Sequence, residues 1–236
     1  MSQTPFQFKQ FTVEQDKSAM KVGTDGVLLG SWATANKHNR IHDIGCGTGL
    51  IALMTAQRFP EAIIEAVEID PNAALQSMQN FAESPWHDRL ILHECRIQDF
   101  ASESYYNLII SNPPFFENSK KSGEEAKDLA RHNDQLAFTE LIFAANNLLK
   151  EGGTFAVIIP ADNSQNFIQL SRAQGLYCNR ICLVKPTPTK KPKRALLPFN
   201  KFSATCIEEE LIIEDNGRHQ YSDDYKRLTQ AFYLKF

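Results

Sequence analysis

A glycine turn set between a short strand and a helix constrains this chain more than any other feature. Asp43-Ile44-Gly45-Cys46-Gly47-Thr48-Gly49 follows Arg40-Ile41-His42 and precedes the apolar-periodic stretch Leu50-Ile51-Ala52-Leu53-Met54-Thr55-Ala56. That order reads as strand, turn, helix. The glycines let backbone approach a ligand closely, and the start of the helix offers unpaired N–H groups. The spacing is Gly-x-Gly-x-Gly, not the dinucleotide Gly-x-Gly-x-x-Gly. Asp43, two residues before the first glycine, would repel a pyrophosphate but could order the loop or meet an ammonium group.

Two further strands fall in register. Ile63 to Asp70 reads as a strand with acids at its C-terminal end. Glu68 lies roughly 20 residues past the turn, where Rossmann-like folds place a ribose-binding acid. A free carboxylate can accept from both ribose hydroxyls. Asp70 also fits as an N-cap, because Pro71 and Asn72 open a helix over 73–81. Leu90-Ile91-Leu92-His93 is the next strand, and Arg96-Ile97-Gln98-Asp99-Phe100 follows it. Asp99 could accept a hydrogen bond from an adenine amine, and Phe100 could wall the purine.

Asn112-Pro113-Pro114-Phe115 comes directly after the apolar run 106–111, a buried strand by its pattern. The prolines stop the strand, since neither has an N–H for a sheet, and each biases the residue before it toward extended backbone. Asn112 is thereby held at a strand's C-terminal end, where open α/β sheets bind ligands. Its amide oxygen and a nearby carbonyl can accept from a planar –NH2, and Phe115 can stack on the heterocycle carrying it.

Together these elements resemble the class I S-adenosylmethionine-dependent methyltransferases, in their amino-methylating Asn-Pro-Pro-aromatic branch, over about residues 40–160. The resemblance implies a Rossmann-like α/β fold: a mostly parallel seven-stranded sheet, an antiparallel C-terminal hairpin and helices on both faces. The implied cofactor is S-adenosyl-L-methionine. By that resemblance the turn with Asp43, Gly45, Gly47 and Gly49 takes the methionine end, Glu68 the ribose, Ile69 the adenine face and Asp99 the adenine amine, beside Phe100. Residues 1–36 become an extension closing over the methionine moiety, with Thr24 and Asp25 touching it. From the residues alone, Thr24 or Asp25 reads equally as a cap for a helix over 27–35. Residues 37–236 form the core of a single domain.

The implied chemistry follows. An adenine amine is a poor nucleophile because its lone pair is delocalised into the ring. Acceptance of both its hydrogens by Asn112 and the Pro113 carbonyl would pull the nitrogen toward tetrahedral geometry. That frees the lone pair for attack on a sulfonium methyl. Positioning then carries much of the effect, up to roughly 7–11 kcal/mol for well-aligned reactants. Asn112, Pro113, Pro114 and Phe115 are the candidate catalytic residues.

Composition narrows the partners. The 236 residues suit one doubly wound domain, with no internal repeat and no apolar run long enough to span a membrane. Residues 1–7 do not read as a secretory signal. Five cysteines, an odd number without a Cys-x-x-Cys pair, read as reduced thiols of a cytoplasmic protein. The histidines do not cluster with them, so no metal site is expected. A net charge of −3 argues against a broad basic face. Positive charge is nonetheless concentrated in 185–194, with Lys190, Lys191, Lys193 and Arg194 in a proline-stiffened loop, and again at Lys120-Lys121. A long polar segment after Phe115 reads as a substrate lid carrying Arg131 and His132. Beyond it come an amphipathic helix over 136–149 ended by Gly152-Gly153, a strand over 154–160, a helix over 163–173 and a hairpin from 178–185 and 195–203. A short strand near 211–213 and a helix over 221–232 finish the chain.

Few residues precede the first sheet strand, which leaves no room for the helical N-terminal domain of release-factor glutamine methyltransferases or for a DNA target-recognition domain. An unstacked RNA base is easier to extrude than one in a duplex. Phe11-Thr12-Val13, Val22-Gly23-Thr24-Asp25-Gly26, Asn112-Pro113-Pro114-Phe115, Arg131-His132 and Tyr233-Leu234 are similar to the bacterial tRNA-1(Val) adenine-37 N6-methyltransferases. That implies a tRNA anticodon loop as partner, with Lys120, Lys121, Arg131, His132 and the 190–194 cations facing RNA. No obligate protein partner is evident. Glutamine methylation in a protein stays open as the alternative, as does a cofactor-binding protein without catalysis.

Overall fold

The computed structural model describes residues 4–18, 20–35, 39–102, 105–114 and 138–235. Strands β1 (Phe6–Gln7) and β2 (Thr12–Val13) form a small antiparallel hairpin of their own. Helix α1 (Thr24–Trp32) leads into β3 (Arg40–Ile44), α2 (Leu50–Arg58), β4 (Ile63–Glu68), α3 (Pro71–Ala82), β5 (Leu90–Glu94) and β6 (Tyr106–Ser111). Helical residues 138–148, here α4, precede β7 (Leu149–Pro160), α5 (Ser164–Ala173), β8 (Tyr177–Cys178), β9 (Arg180–Lys185), β10 (Arg194–Asn200), β11 (Ile207–Ile212) and α6 (Asp223–Thr229).

The main sheet runs β11-β9-β10-β7-β6-β3-β4-β5, with β8 paired to the end of β10. Strands β3 to β7 are mutually parallel. β10 is antiparallel to both β7 and β9, which is the expected hairpin. Two strands extend the expected seven: β8, and β11, which lies parallel to β9.

Each central strand is buried on both faces, the condition that makes parallel strands read as continuous apolar runs. Every residue of β6 is buried. Alternation along the strands feeds two cores. On one face Ile41, Ile64, Leu108 and Ile158 meet Leu28 and Leu29 of α1, Met54 of α2 and Phe81 of α3. On the other, Ile44, Val67, Ile109 and Phe155 meet Phe138 and Ile142 of α4 and Phe167 of α5. Helices α1 and α2 pack closely because a Cβ at Gly26 or Gly30 would press on Leu50 or Met54.

Some local expectations give way. Helix α1 starts at Thr24 rather than Val27, and Gly23 is its N-cap, with no side-chain cap bond. Thr24 and Asp25 are therefore first-turn residues, not caps. Gly152 and Gly153 do not terminate a helix. Tyr106 pairs with Leu149 but Leu108 with Thr154, so residues 150–153 bulge from β7. Gly152 takes φ +76°, and a Cβ on Gly153 would come within 3.0 Å of the Tyr106 carbonyl. Glycine suits a bulge for these same reasons. All five cysteines are free thiols; Cys46 and Cys182 are buried, while Cys206 is exposed.

Candidate active site

The glycine turn is held by four side chains from three neighbouring elements. Gly45, Gly47 and Gly49 have φ of +71°, +59° and +78°, a left-handed region costly for any side chain. Gly49 has a second reason: a Cβ there would collide with the Phe81 ring. From α3, Ser77 donates to the Gly47 carbonyl at 2.6 Å and Asn80 to the Thr48 carbonyl at 2.9 Å. From β4, one Glu68 oxygen accepts the Gly47 N–H at 2.8 Å while the other accepts the N–H groups of Ile69 and Asp70, each at 2.9 Å. From β3, Asp43 Oδ2 accepts the N–H of Ala52, the third residue of α2, at 3.0 Å.

Burial shapes the local acids and thiol. Asp43 is buried, and loss of solvent pushes its carboxyl up to about 7 against the opposing Ala52 N–H, with Glu68 adding a smaller upward push. Its Oδ1 is buried without a partner among the described residues. The same burial pushes the Cys46 thiol well up, so it is a filler against Ser77 rather than a nucleophile.

Two cavities open along the C-terminal ends of β3, β4 and β6. The larger, about 500 Å³, is lined by Met20, Lys21, Gly23 to Gly26, Gly45 to Thr48, Leu50, Ile51 and Asn112 to Pro114. The second, about 370 Å³, is lined by Ile44, Gly45, Val67, Ile69, Cys95 to Gln98, Pro114, Glu140 and Leu141. They share Gly45 and Pro114, so they adjoin at the glycine turn and the prolyl corner, and together are called the crevice. The prolyl corner lines both halves, Asn112 and Pro113 the larger and Pro114 each. Its strand is fixed to β3 by Ser111 Oγ, which donates to the Ile44 carbonyl at 2.9 Å.

The structure gathers eight of the fourteen candidate catalytic and cofactor residues around this crevice. Thr24, Asp25, Gly45, Gly47, Asn112, Pro113 and Pro114 line the larger half, and Ile69, 62% exposed, lines the smaller. Asp43, Gly49 and Glu68 line neither cavity; they shape the turn from behind. Asp99 and Phe100 also line neither. Phe100 lies against the buried His42 ring at 4.7 Å and 16°, so its ring serves a stack continued by Tyr106. Ile97 and Gln98, one short turn earlier, stand at the cavity instead. Phe115, Lys120, Lys121, Arg131 and His132 fall outside the described residues. Met20, Lys21, Glu140 and Leu141 were not indicated by any motif; only folding brings them to the crevice.

Lys190, Lys191 and Lys193 are exposed in the β9–β10 turn. That turn sits at the crevice end of the sheet, because Arg194 pairs with Pro160, the last residue of β7. Arg194 Nε donates to Asp25 Oδ2 at 2.7 Å. A smaller cavity of about 260 Å³, lined by Thr24, Asp25, Lys193 and Arg194 among others, adjoins this pair.

Known proteins agree with this architecture. The Methyltransferase small domain family matches residues 18–173. The chain is 48% identical, over all of both chains, to the tRNA1(Val) (adenine(37)-N6)-methyltransferase of Bacteroides fragilis. It is 49% identical to the enzyme of that name from Flavobacterium psychrophilum, over 98% of this chain and 99% of that one. The chain belongs to the family of these small-domain methyltransferases. Among solved structures, a predicted O-methyltransferase from Agrobacterium tumefaciens superposes with a TM-score of 0.70 at 20% identity, covering 88% of this chain and 96% of that one. The glycopeptide N-methyltransferase MtfA, complexed with S-adenosyl-L-methionine, gives 0.55 at 10% identity, covering 76% and 99%. Both share the fold.

The cofactor of a family member is S-adenosyl-L-methionine, and the crevice suits it. The molecule is long, with a zwitterionic amino-acid end and a flat purine end. The larger half of the crevice offers Asp25, Thr24 and turn backbone; the smaller offers Ile69, Val67 and Ile97. Among the described residues no group of three or more His, Cys, Asp and Glu converges as a metal site, and no helix is long and apolar enough to cross a membrane.

Proposed function

We propose that this enzyme methylates the exocyclic amine of adenine 37 in tRNA1(Val), acting on the anticodon loop in the cytoplasm. The observation that carries the reading is Asn112-Pro113-Pro114 on the wall of the glycine-lined crevice, in a chain 48% identical along its whole length to an enzyme named for that reaction. The cofactor supplies an electrophilic methyl group on its sulfonium sulfur. The chain's residues do the rest. Thr24 and Asp25 hold the amino-acid end and Ile69 packs on the purine, while Glu68, behind the turn, would meet the ribose only through lone pairs that its three backbone N–H groups leave open. Asp99 would reach the purine amine by turning inward from the short helix beside Gln98.

The Asn112 oxygen and the Pro113 carbonyl accept the two amine hydrogens of the target base. This draws the nitrogen out of conjugation and localises its lone pair toward the crevice. Phe115 stacks on the extruded ring, worth about 1–3 kcal/mol. No strong base is required, because a methylated ammonium nitrogen is acidic and releases its proton readily. Lys190, Lys191 and Lys193, with Lys120, Lys121, Arg131 and His132, supply charge for the RNA backbone.

Incubation with radiolabelled cofactor and either bulk tRNA or a release factor tests the reading, followed by mass spectrometry of the tRNA nucleosides. Label in tRNA as N6-methyladenosine is expected. Label only in the release factor would overturn it.

A further inference from the structure

A cation drawn from the basic RNA-facing loop turns out to be bound to a residue of the cofactor wall. Arg194 opens β10, and its backbone is fixed by pairing with Pro160 on one side and Val184 on the other. Its side chain reaches across to Asp25, 2.7 Å from Nε to Oδ2, while Nη1 donates to the Lys193 carbonyl at 3.1 Å. Both side chains of the pair are only about a quarter exposed. Asp25 belongs to the first turn of α1 and lines the larger half of the crevice. That turn has no side-chain cap at Gly23. The ion pair to the main sheet is therefore a principal side-chain tie on the turn. The bond occupies Oδ2 and leaves Oδ1 for a ligand.

We propose that Arg194 is a positioning residue of the cofactor site rather than an RNA contact: it holds the Asp25 carboxylate where the ammonium of the cofactor's amino-acid end arrives. This rests on the cofactor reading above and adds a residue from the opposite end of the chain. The geometry favours it over an RNA role because the guanidinium already has two protein acceptors, whereas Lys190, Lys191 and Lys193 project from the turn. A carboxylate pinned by a guanidinium is pre-oriented and loses little freedom when a ligand binds. A carboxylate without that partner must be ordered by the ligand.

Calorimetric titration of two ligands decides the matter. S-adenosylhomocysteine carries the amino-acid end; 5′-methylthioadenosine lacks it. Arg194→Ala is expected to weaken the first about tenfold and the second by less than twofold, with Arg194→Lys recovering most of the loss. Binding of tRNA without cofactor should keep its salt slope. Equal weakening of both ligands would overturn the proposal in favour of a loosened fold; thermal melting of Arg194→Lys guards against a variant that simply fails to fold. Unchanged affinity for S-adenosylhomocysteine, together with a salt slope reduced by about one, would overturn it in favour of RNA contact. Failure of the unmodified protein to bind either ligand would instead sink the cofactor reading beneath it.

Discussion

The amide of Gly47 donates to the Glu68 carboxylate at 2.8 Å, so the acid ending β4 is also the strut of the glycine turn. Glu68 accepts three backbone N–H groups with its two oxygens. Replacing it by glutamine keeps the shape but turns an –NH2 toward at least one of those donors. Hydrogen bonds to a charged group contribute roughly 1.5–3 kcal/mol each. Glu68→Gln should therefore lower the melting temperature and weaken S-adenosylhomocysteine at least tenfold, the two being read by scanning and titration calorimetry. An affinity loss without any loss of stability would show that the turn does not need this strut.

Asn112→Ala should reduce methyl transfer at least a hundredfold while leaving cofactor affinity within about threefold. The estimate follows from removing an acceptor needed at the reacting nitrogen. Single-turnover assays and calorimetry separate the two quantities. Parallel losses would mean that Asn112 supports the crevice rather than the amine.

Neutralising Lys190, Lys191 and Lys193 together should weaken tRNA binding in low salt and flatten its salt dependence. At about 0.7–0.9 counterions per phosphate contact, the log–log slope should fall by about 2–3. A filter-binding series across salt concentrations reads it directly. An unchanged slope would remove the β9–β10 turn from the RNA interface.

Two buried groups should tilt the pH dependence of stability in opposite senses. Asp43 is raised by burial from 3.8 to about 7. Between those values the unfolded chain ionises it and the folded chain does not, so its contribution is full below pH 4 and is lost as pH rises to 7. His42 is lowered by burial from 6.5 to about 3. Its contribution is full above pH 6.5 and is lost as pH falls toward 3. Relative to the unmodified protein, Asp43→Asn should gain stability as pH rises from 4.5 to 8, and His42→Phe should gain it as pH falls over the same range. The changes are on the order of a few kcal/mol. Urea unfolding at both pH values tests each sign.

Much of the fold is legible in the sequence. Gly-x-Gly-x-Gly placed the turn because positive φ is a local demand that few other residues meet. Asn112-Pro113-Pro114 placed another wall because two successive prolines without N–H groups end a central strand. Contacts between distant segments were not legible. The Asp25–Arg194 pair joins residues that only β10's register against β7 brings together. Phe100 carried an aromatic signal suited to a purine, yet its ring is taken by His42, whose neighbours are set by the order of β3, β5 and β6. The 150–153 bulge is not legible because two glycines after a helix signal its end as strongly as they signal a strand irregularity.

The β1–β2 hairpin is fastened to the far end of the chain. Lys9 bonds the carbonyls of Phe232 and Gln230, and Phe6 and Phe8 pack on Tyr233. The strap that follows is tied in turn to α3, with the Glu14 and Lys17 amides bonded to Asn80 and Gln76. It delivers Met20 and Lys21 to the crevice. Residues 230–233 thus act as a clasp for the segment that lines the larger half of the crevice. Trimming them should be felt there first, as leakier cofactor retention, well before the main sheet gives way.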